Sequence, residues 1–375
     1  MSRLFRLCFA LAFASLFLVG GASLLPAQEL EPPSAEEVEA ARSAPLFTSH
    51  DALELTIEAD FHTIRREDRK QDSKEERPAV LRWTTADGST GSLDIQVRTR
   101  GNFRLSRRNC DFPPLRLNLK KGSTKGTLFE GQDKLKLVVT CKLGQDYWEQ
   151  YVLLEYMAYR TLNVLTDISF RVRLAKVTYV DTSGEDDTFT RYAFLIEDAE
   201  MMALRQPAQV IEWVAGQLHP SQVEKHQAII DDVYQYMIGN TDWAALRGPD
   251  PKECCHNIKL IGPEPLGSDQ FVVPVPYDFD SSGLVDARYA APHEALGLKS
   301  VTDRLYRGYC MHNETLESAR QQVLRQEAAI RGLVANEGRL SSSTKKKAGR
   351  YLEDFFEIAE DPDKFEKNIT EHCRR

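Results

Sequence analysis

The apolar residues of this chain change period once, at Ile196-Glu197-Asp198, and that change constrains the fold more than any other feature. Before it the pattern alternates by two. Leu53, Leu55, Ile57, Ala59 and Phe61 predict a half-buried strand over Leu53 to Ile64, and Leu93, Ile95 and Val97 share one face of a strand whose other face carries Gln96, Arg98 and Arg100. Val80–Thr84 and Gly91–Thr99 flank Asp87-Gly88, a hairpin signal, and Leu115–Leu119, Lys134–Val139, Phe170–Val180 and Thr190–Leu195 read as further strands. One helix interrupts them, with Tyr147, Tyr151, Leu154, Met157, Ala158 and Leu162 at helical spacing. After Asp198 the period is helical: Ala208–Leu218, Val223–Met237 and most of Thr302–Cys373. Strands near in sequence with alternating faces predict an antiparallel sheet. The expected class is therefore α+β in two lobes, a sheet-plus-helix lobe over 50–197 and a helical lobe over 198–375.

The chain begins with material that is not fold. Arg3 and Arg6 precede an apolar run from Leu7 to Val19, and small residues follow up to Ala27. This predicts a secretory signal peptide over 1–28 and a Glu-, Ala- and Pro-rich linker over 29–49, hence a secreted or periplasmic protein with no stable membrane insertion after cleavage. A retained membrane anchor is the other reading of that run. A net charge of −8 without a basic face argues against a nucleic-acid partner. Six cysteines remain after cleavage, and in an oxidising compartment an even number favours disulfides. Cys110–Cys141 is the expected first pair, joining neighbouring strands, with one of Cys254-Cys255 reaching Cys310. Cys254-Cys255-His256 lacks the spacing of zinc ligands.

The chemistry concentrates between Tyr236 and Gly283. Gly239-Asn240 stops the helix that ends at Met237, which places Asp242 on a loop just beyond a buried helix end. Ile258–Ile261 and Phe271–Val275 form a small hairpin around the turn-rich 262–268. A hairpin returns the chain to its starting end, so Asn257 at its entrance and Asp278 at its exit are expected to be neighbours. Asp242 feeds the same end. Three oxygen-bearing side chains converging there suit a hard cation that carries nucleotide phosphates, and Asp280 supplies a possible fourth. The alternative is that these residues cap turns around a hairpin.

Asn240-Thr241-Asp242, His256-Asn257-Ile-Lys-Leu-Ile, Pro276-Tyr277-Asp278-Phe279-Asp280 and Arg98-Thr99-Arg100-Gly101-Asn102 resemble the motifs of the spore-coat CotH-type atypical kinases and, more distantly, HipA-like and secretory-pathway kinases. The resemblance runs from about Val97 to Gly283. It implies a two-lobed protein-kinase-like fold and an ATP-dependent phosphotransferase using Mg²⁺ or Mn²⁺. Asp242 is then the catalytic Asp at the acceptor hydroxyl, and Asn257, Asp278 and Asp280 are the metal ligands. Arg100 or Arg116 faces the phosphates, Glu149 or Glu155 tethers that base, and Glu197 marks the adenine end. The implied acceptor is a hydroxyl of a secreted or envelope protein, or of a glycan. No Gly-rich phosphate loop or Val-Ala-Ile-Lys-like strand is present, which leaves Lys134 and Lys136 as the lysine candidates and a catalytically inactive kinase-fold binding module as the alternative function.

Overall fold

The computed structural model describes residues 32–66, 75–120, 122–213, 216–248, 254–263 and 270–375. The expected signal peptide, the first linker residues, most of the 65–77 charge run and most of the 262–268 turn lie outside the described residues. The chain enters through α1 (Ala35–Arg42), whose N-terminus is closed by a reciprocal Ser34–Glu37 capping box.

Seven strands follow: β1 (Leu53–Ala59), β2 (Arg77–Thr84), β3 (Thr90–Thr99), β4 (Leu115–Leu119), β5 (Lys134–Val138), β6 (Val172–Asp181) and β7 (Phe189–Ile196). They close into a barrel in the order β1-β2-β3-β4-β5-β7-β6. This corrects the expected two-lobed, kinase-like fold with an antiparallel small-lobe sheet. Six junctions are antiparallel, but β1 and β6 pair in parallel, from Leu53 opposite Ala175 to Ala59 opposite Asp181. Alternation marks each strand and says nothing of which distant edge it meets, so the closing pair was invisible in the sequence. The inward faces of Leu55, Ile57, Leu81, Ile95, Leu117, Leu135 and Val177 fill the barrel. The expected strand to Ile64 stops at Ala59. Phe61 and Ile64, three apart and both buried, lie on the short helix α2 (Phe61–Arg66) instead.

The interrupting helix is α3 (Glu149–Leu165), which packs on the outside of β6 and β7. It is buried on nearly every side, and a single core runs from Val138, Tyr159 and Phe194 through Tyr234 and Phe279 to Phe355. That continuity is the second reason two separate lobes do not form. Next come α4 (Ala199–Arg205), β8 (Gln209–Ile211) and α5 (Lys225–Ile238). Ala208–Leu218, expected as a helix, supplies β8, which hydrogen-bonds β9 (Ile258–Gly262) beside β10 (Val273–Pro276) in a three-stranded sheet. The helices α6 (Leu316–Arg325), α7 (Glu327–Ala335), α8 (Ser342–Glu360) and α9 (Pro362–Asn368) complete the chain.

Cys110–Cys141 forms as expected. Cys310 pairs with Cys373 rather than with the 254–255 pair, and Cys254 and Cys255 join each other. A parallel bridge between Tyr309 and Arg374 sets Cys310 beside Cys373, with the Cys310 N–H donating to the Arg374 carbonyl at 2.9 Å. Three disulfides fit an oxidising compartment. No helix among the described residues is long and apolar enough to cross a membrane.

Candidate active site

Gly239 ends α5 in the left-handed region at φ 63°, and the chain turns sharply into Asn240. The Asn240 side chain accepts from the Asp242 N–H at 3.0 Å, and the Trp243 indole donates to the Asn240 carbonyl at 3.1 Å. These two bonds fix the loop that presents Asp242. Ala244 and His256 exchange both backbone hydrogen bonds, which lays the loop against the strand leading into β9. At the far end of the hairpin the Tyr277 N–H donates to the Asn257 carbonyl at 3.0 Å. The predicted convergence of Asp242, Asn257 and Asp278 is thus present. The Asn257 amide donates to the Asp242 carbonyl at 2.7 Å and reaches its carboxylate at 3.3 Å. Asn257 and Asp278 both occupy positive φ, 52° and 67°. Such residues concentrate where the surroundings enforce them, ligand clamps and active sites among them.

Asp242 does not stand alone. His256 Nε2 lies 2.8 Å from Asp242 Oδ1. Burial raises the Asp242 carboxyl, but the His256 hydrogen bond and charge, His293 and the Asn257 amide together hold it below its ordinary value. The same contact lifts His256 above the ordinary histidine value against burial. The sequence placed His256 within a motif without giving it a role.

Asp278 is tied to α3, because its N–H donates to the Tyr159 hydroxyl at 2.8 Å, and the Phe279 ring packs tilted against the Tyr159 ring with centroids 4.5 Å apart. No hydrogen bond reaches the Asp278 carboxylate from the described residues. Asp280 accepts from the Tyr289 hydroxyl at 2.9 Å. Burial first, then Asp278, pushes Asp280 up to about 6, with Arg104 and Tyr289 opposing. Glu155, on α3, sits well above the carboxylate range through burial and then Asp280 and Asp278, with Arg104 and Arg100 opposing. Glu149 is drawn off to β7, where its carboxylate accepts from the Tyr192 N–H. The pair available to a basic group is therefore Glu155 and Asp280, and Arg104 is beside them.

The opposite wall is basic. Arg98, Arg116 and Lys136 stand in one cross-strand row on the outer face of β3, β4 and β5. Lys136 Nζ lies 4.3 Å from the Tyr277 ring centroid. Burial, then Arg100, drives Lys136 down to about 7 while Asp278 pulls it up. Lys136 thus stands against the hairpin end, with Arg100 close enough to act on it. Arg116 acts on Asp198, whose carboxyl burial pushes up to about 6 while the Glu200 N–H and then Arg116 oppose. Glu197 is not brought into the cluster by its side chain. Both oxygens are held by Arg205, at 2.8 and 2.9 Å, and the Arg171 N–H adds a third contact at 3.0 Å. Lys136, Arg104, Tyr289 and His256 are the residues the sequence undervalued. For Lys136 a signal existed, since strict alternation places it on the same face as Arg116 in a neighbouring strand.

The described residues hold no group of three or more His, Cys, Asp or Glu side chains arranged as a metal cage. Asn257 and Asp278 instead offer a sparse set of hard oxygen donors. That is the set Mg²⁺ uses when substrate phosphates and water complete its shell. No protein-family model matches the chain, and no curated protein matches it either.

Proposed function

We propose that this chain is a phosphotransferase that moves the terminal phosphoryl group of ATP to a hydroxyl acceptor, with Ser or Thr of a secreted or envelope protein as the acceptor class. The observation that carries the reading is the meeting of Asp242, Asn257 and Asp278 at one hairpin end, opposite Lys136 and Arg100. The motif resemblance to CotH-type atypical kinases supports it; that support rests on these residues and not on the barrel. Phosphoryl transfer asks little covalent chemistry of a protein, so positioning and electrostatics carry most of the rate.

Each residue then has one task. Asp242, fixed by His256 and Asn257, accepts a hydrogen bond from the acceptor hydroxyl and aims it. Its lowered basicity suits orientation more than early proton removal. Asn257 and Asp278 hold a divalent ion, Mg²⁺ or Mn²⁺, which when bound would neutralise charge on the phosphates. Lys136 and Arg100 supply the facing positive charge. Glu155 and Asp280, with Arg104, keep the Asp278 end of the cleft anchored to α3 and Tyr289.

The test is ATP turnover by the mature chain with Mg²⁺ or Mn²⁺, against Asp278→Ala. Loss of turnover with the fold intact is expected, and unchanged turnover refutes the assignment. A second reading, a binding module without transfer, is favoured by the sparse donor set and predicts a nucleotide-dependent rise in melting temperature with no phosphoryl release.

A further inference from the structure

A separate recess lies where α3 ends against the start of β6 and the segment before β1. It encloses about 360 Å3, and its wall carries Arg42, His50, Arg160, Arg171 and Arg205. None of the residues assigned to the acidic cleft lines it. Arg205 is neutralised by Glu197. Among the described residues no carboxylate lies within ion-pair distance of Arg42, Arg160 or Arg171, although Glu197 and then Asp167 act on Arg171 at longer range. Arg42 donates to the Arg205 carbonyl at 3.2 Å, and Arg171 to the Arg42 carbonyl at 2.8 Å. Among the described residues Arg160 reaches only the Tyr156 hydroxyl, at 3.4 Å, and its buried Nε finds no acceptor.

Behind the wall Arg173, 3% exposed, also keeps a buried Nε without an acceptor. Asp167 carries the only carboxylate among the lining residues, and its charge acts on Arg171. Positive charge therefore exceeds negative charge here in a chain whose net charge is −8. Half-buried guanidinium groups lose hydration and regain it only through acceptors. Arg160 and Arg171, both half-buried, and the exposed Arg42 at the rim surround one concavity and match the forked geometry with which arginine takes a tetrahedral oxyanion.

We propose that this recess binds a small free oxyanion, a phosphate or sulfate or a monoester of either. The recess is independent of the phosphotransferase reading. The anion would bridge Arg160 to Arg42 or Arg171 and thereby lock the end of α3 to the segment entering the barrel.

Titration calorimetry of the full mature chain with inorganic phosphate, and separately with sulfate, tests this. One saturable site is expected. Arg160→Gln should weaken it by about tenfold or more, the loss of one charge-assisted contact. Thr48→Glu sets a carboxylate on the exposed rim, so it should abolish binding without touching the core, and it decides the matter if Arg160→Gln fails to fold. Lys136→Met, in the other cleft, should leave the affinity unchanged. No binding of either anion at millimolar concentration overturns the proposal. So does binding that survives Thr48→Glu, or binding that disappears in Lys136→Met, which would place the anion in the acidic cleft.

Discussion

Glu197 separates two accounts of this molecule. As a side chain at the nucleotide, it should govern ATP affinity; as the partner of Arg205, it should govern stability. The two side chains are 2% and 3% exposed and make two parallel contacts of 2.8 and 2.9 Å. Arg205 also holds the Asp167 and Ser169 carbonyls at 3.1 and 2.8 Å, so it joins α4 to the turn before β6. Arg205→Met leaves a buried carboxylate without its cation, and Glu197→Gln leaves a buried guanidinium without its anion. Breaking a pair of this kind costs about 3–5 kcal/mol. At about 2–4 °C per kcal/mol for a chain of this order of size, each single variant should melt roughly 6–20 °C lower. The double variant removes both charges and should fall short of the sum of the singles by about 1–3 kcal/mol, a coupling read from a urea-denaturation cycle. A Glu197→Gln protein within about 0.5 kcal/mol of wild type would refute the ion-pair account. Unchanged stability together with weakened ATP binding would restore Glu197 to the nucleotide.

Other outcomes follow from single positions. Gly239→Ala would place a Cβ 1.9 Å from the Tyr351 hydroxyl at a φ of 63°; a loss of about 1–2 kcal/mol from the backbone alone is expected, and adding Tyr351→Phe should recover the steric part in a thermal melt. Asp232 is pushed up to about 7 by burial, against Arg374 and Arg307. Its folded value lies above its unfolded one, so the folded state holds the extra proton and stability falls as pH rises from about 4 to about 7. Asp232→Asn should flatten that part of the stability–pH curve, and an unchanged slope would show that the carboxyl is not the source. Removing the Cys310–Cys373 bridge, which spans 63 residues, should lower stability by about 2–4 kcal/mol, measured by urea denaturation of the double serine variant.

The site was more legible than the fold, for a physical reason. Asp242, Asn257 and Asp278 are placed by local rules: a helix stop at Gly239 and a hairpin that returns the chain to its start. Such rules act within a few residues and leave marks in the sequence. The barrel depends on β1 finding β6, a contact between distant segments with no residue type that announces it. β8 misled for a related reason. Three half-buried residues, Gln209–Ile211, hydrogen-bond along β9, and a strand so short has no period to read. Lys136 and Arg104 gain their importance only when the outer face of the barrel meets the hairpin end. Glu155 and Glu149 lie on one helix, and packing rather than sequence sends one to the cleft and the other to β7.

The parallel seam of the barrel also bears on the order of assembly. β1 is the first strand to leave the ribosome or a translocation pore, yet its closing partner begins at Val172. Until that segment arrives, β1 to β5 can form only an open sheet whose two outer edges are ready to bond to another chain. Completion waits on a contact of long sequence separation, the kind that slows folding and lengthens exposure to association. A chain arrested before Val172 should therefore accumulate as a self-associating species, and release of the remaining residues should both close the barrel and end that association.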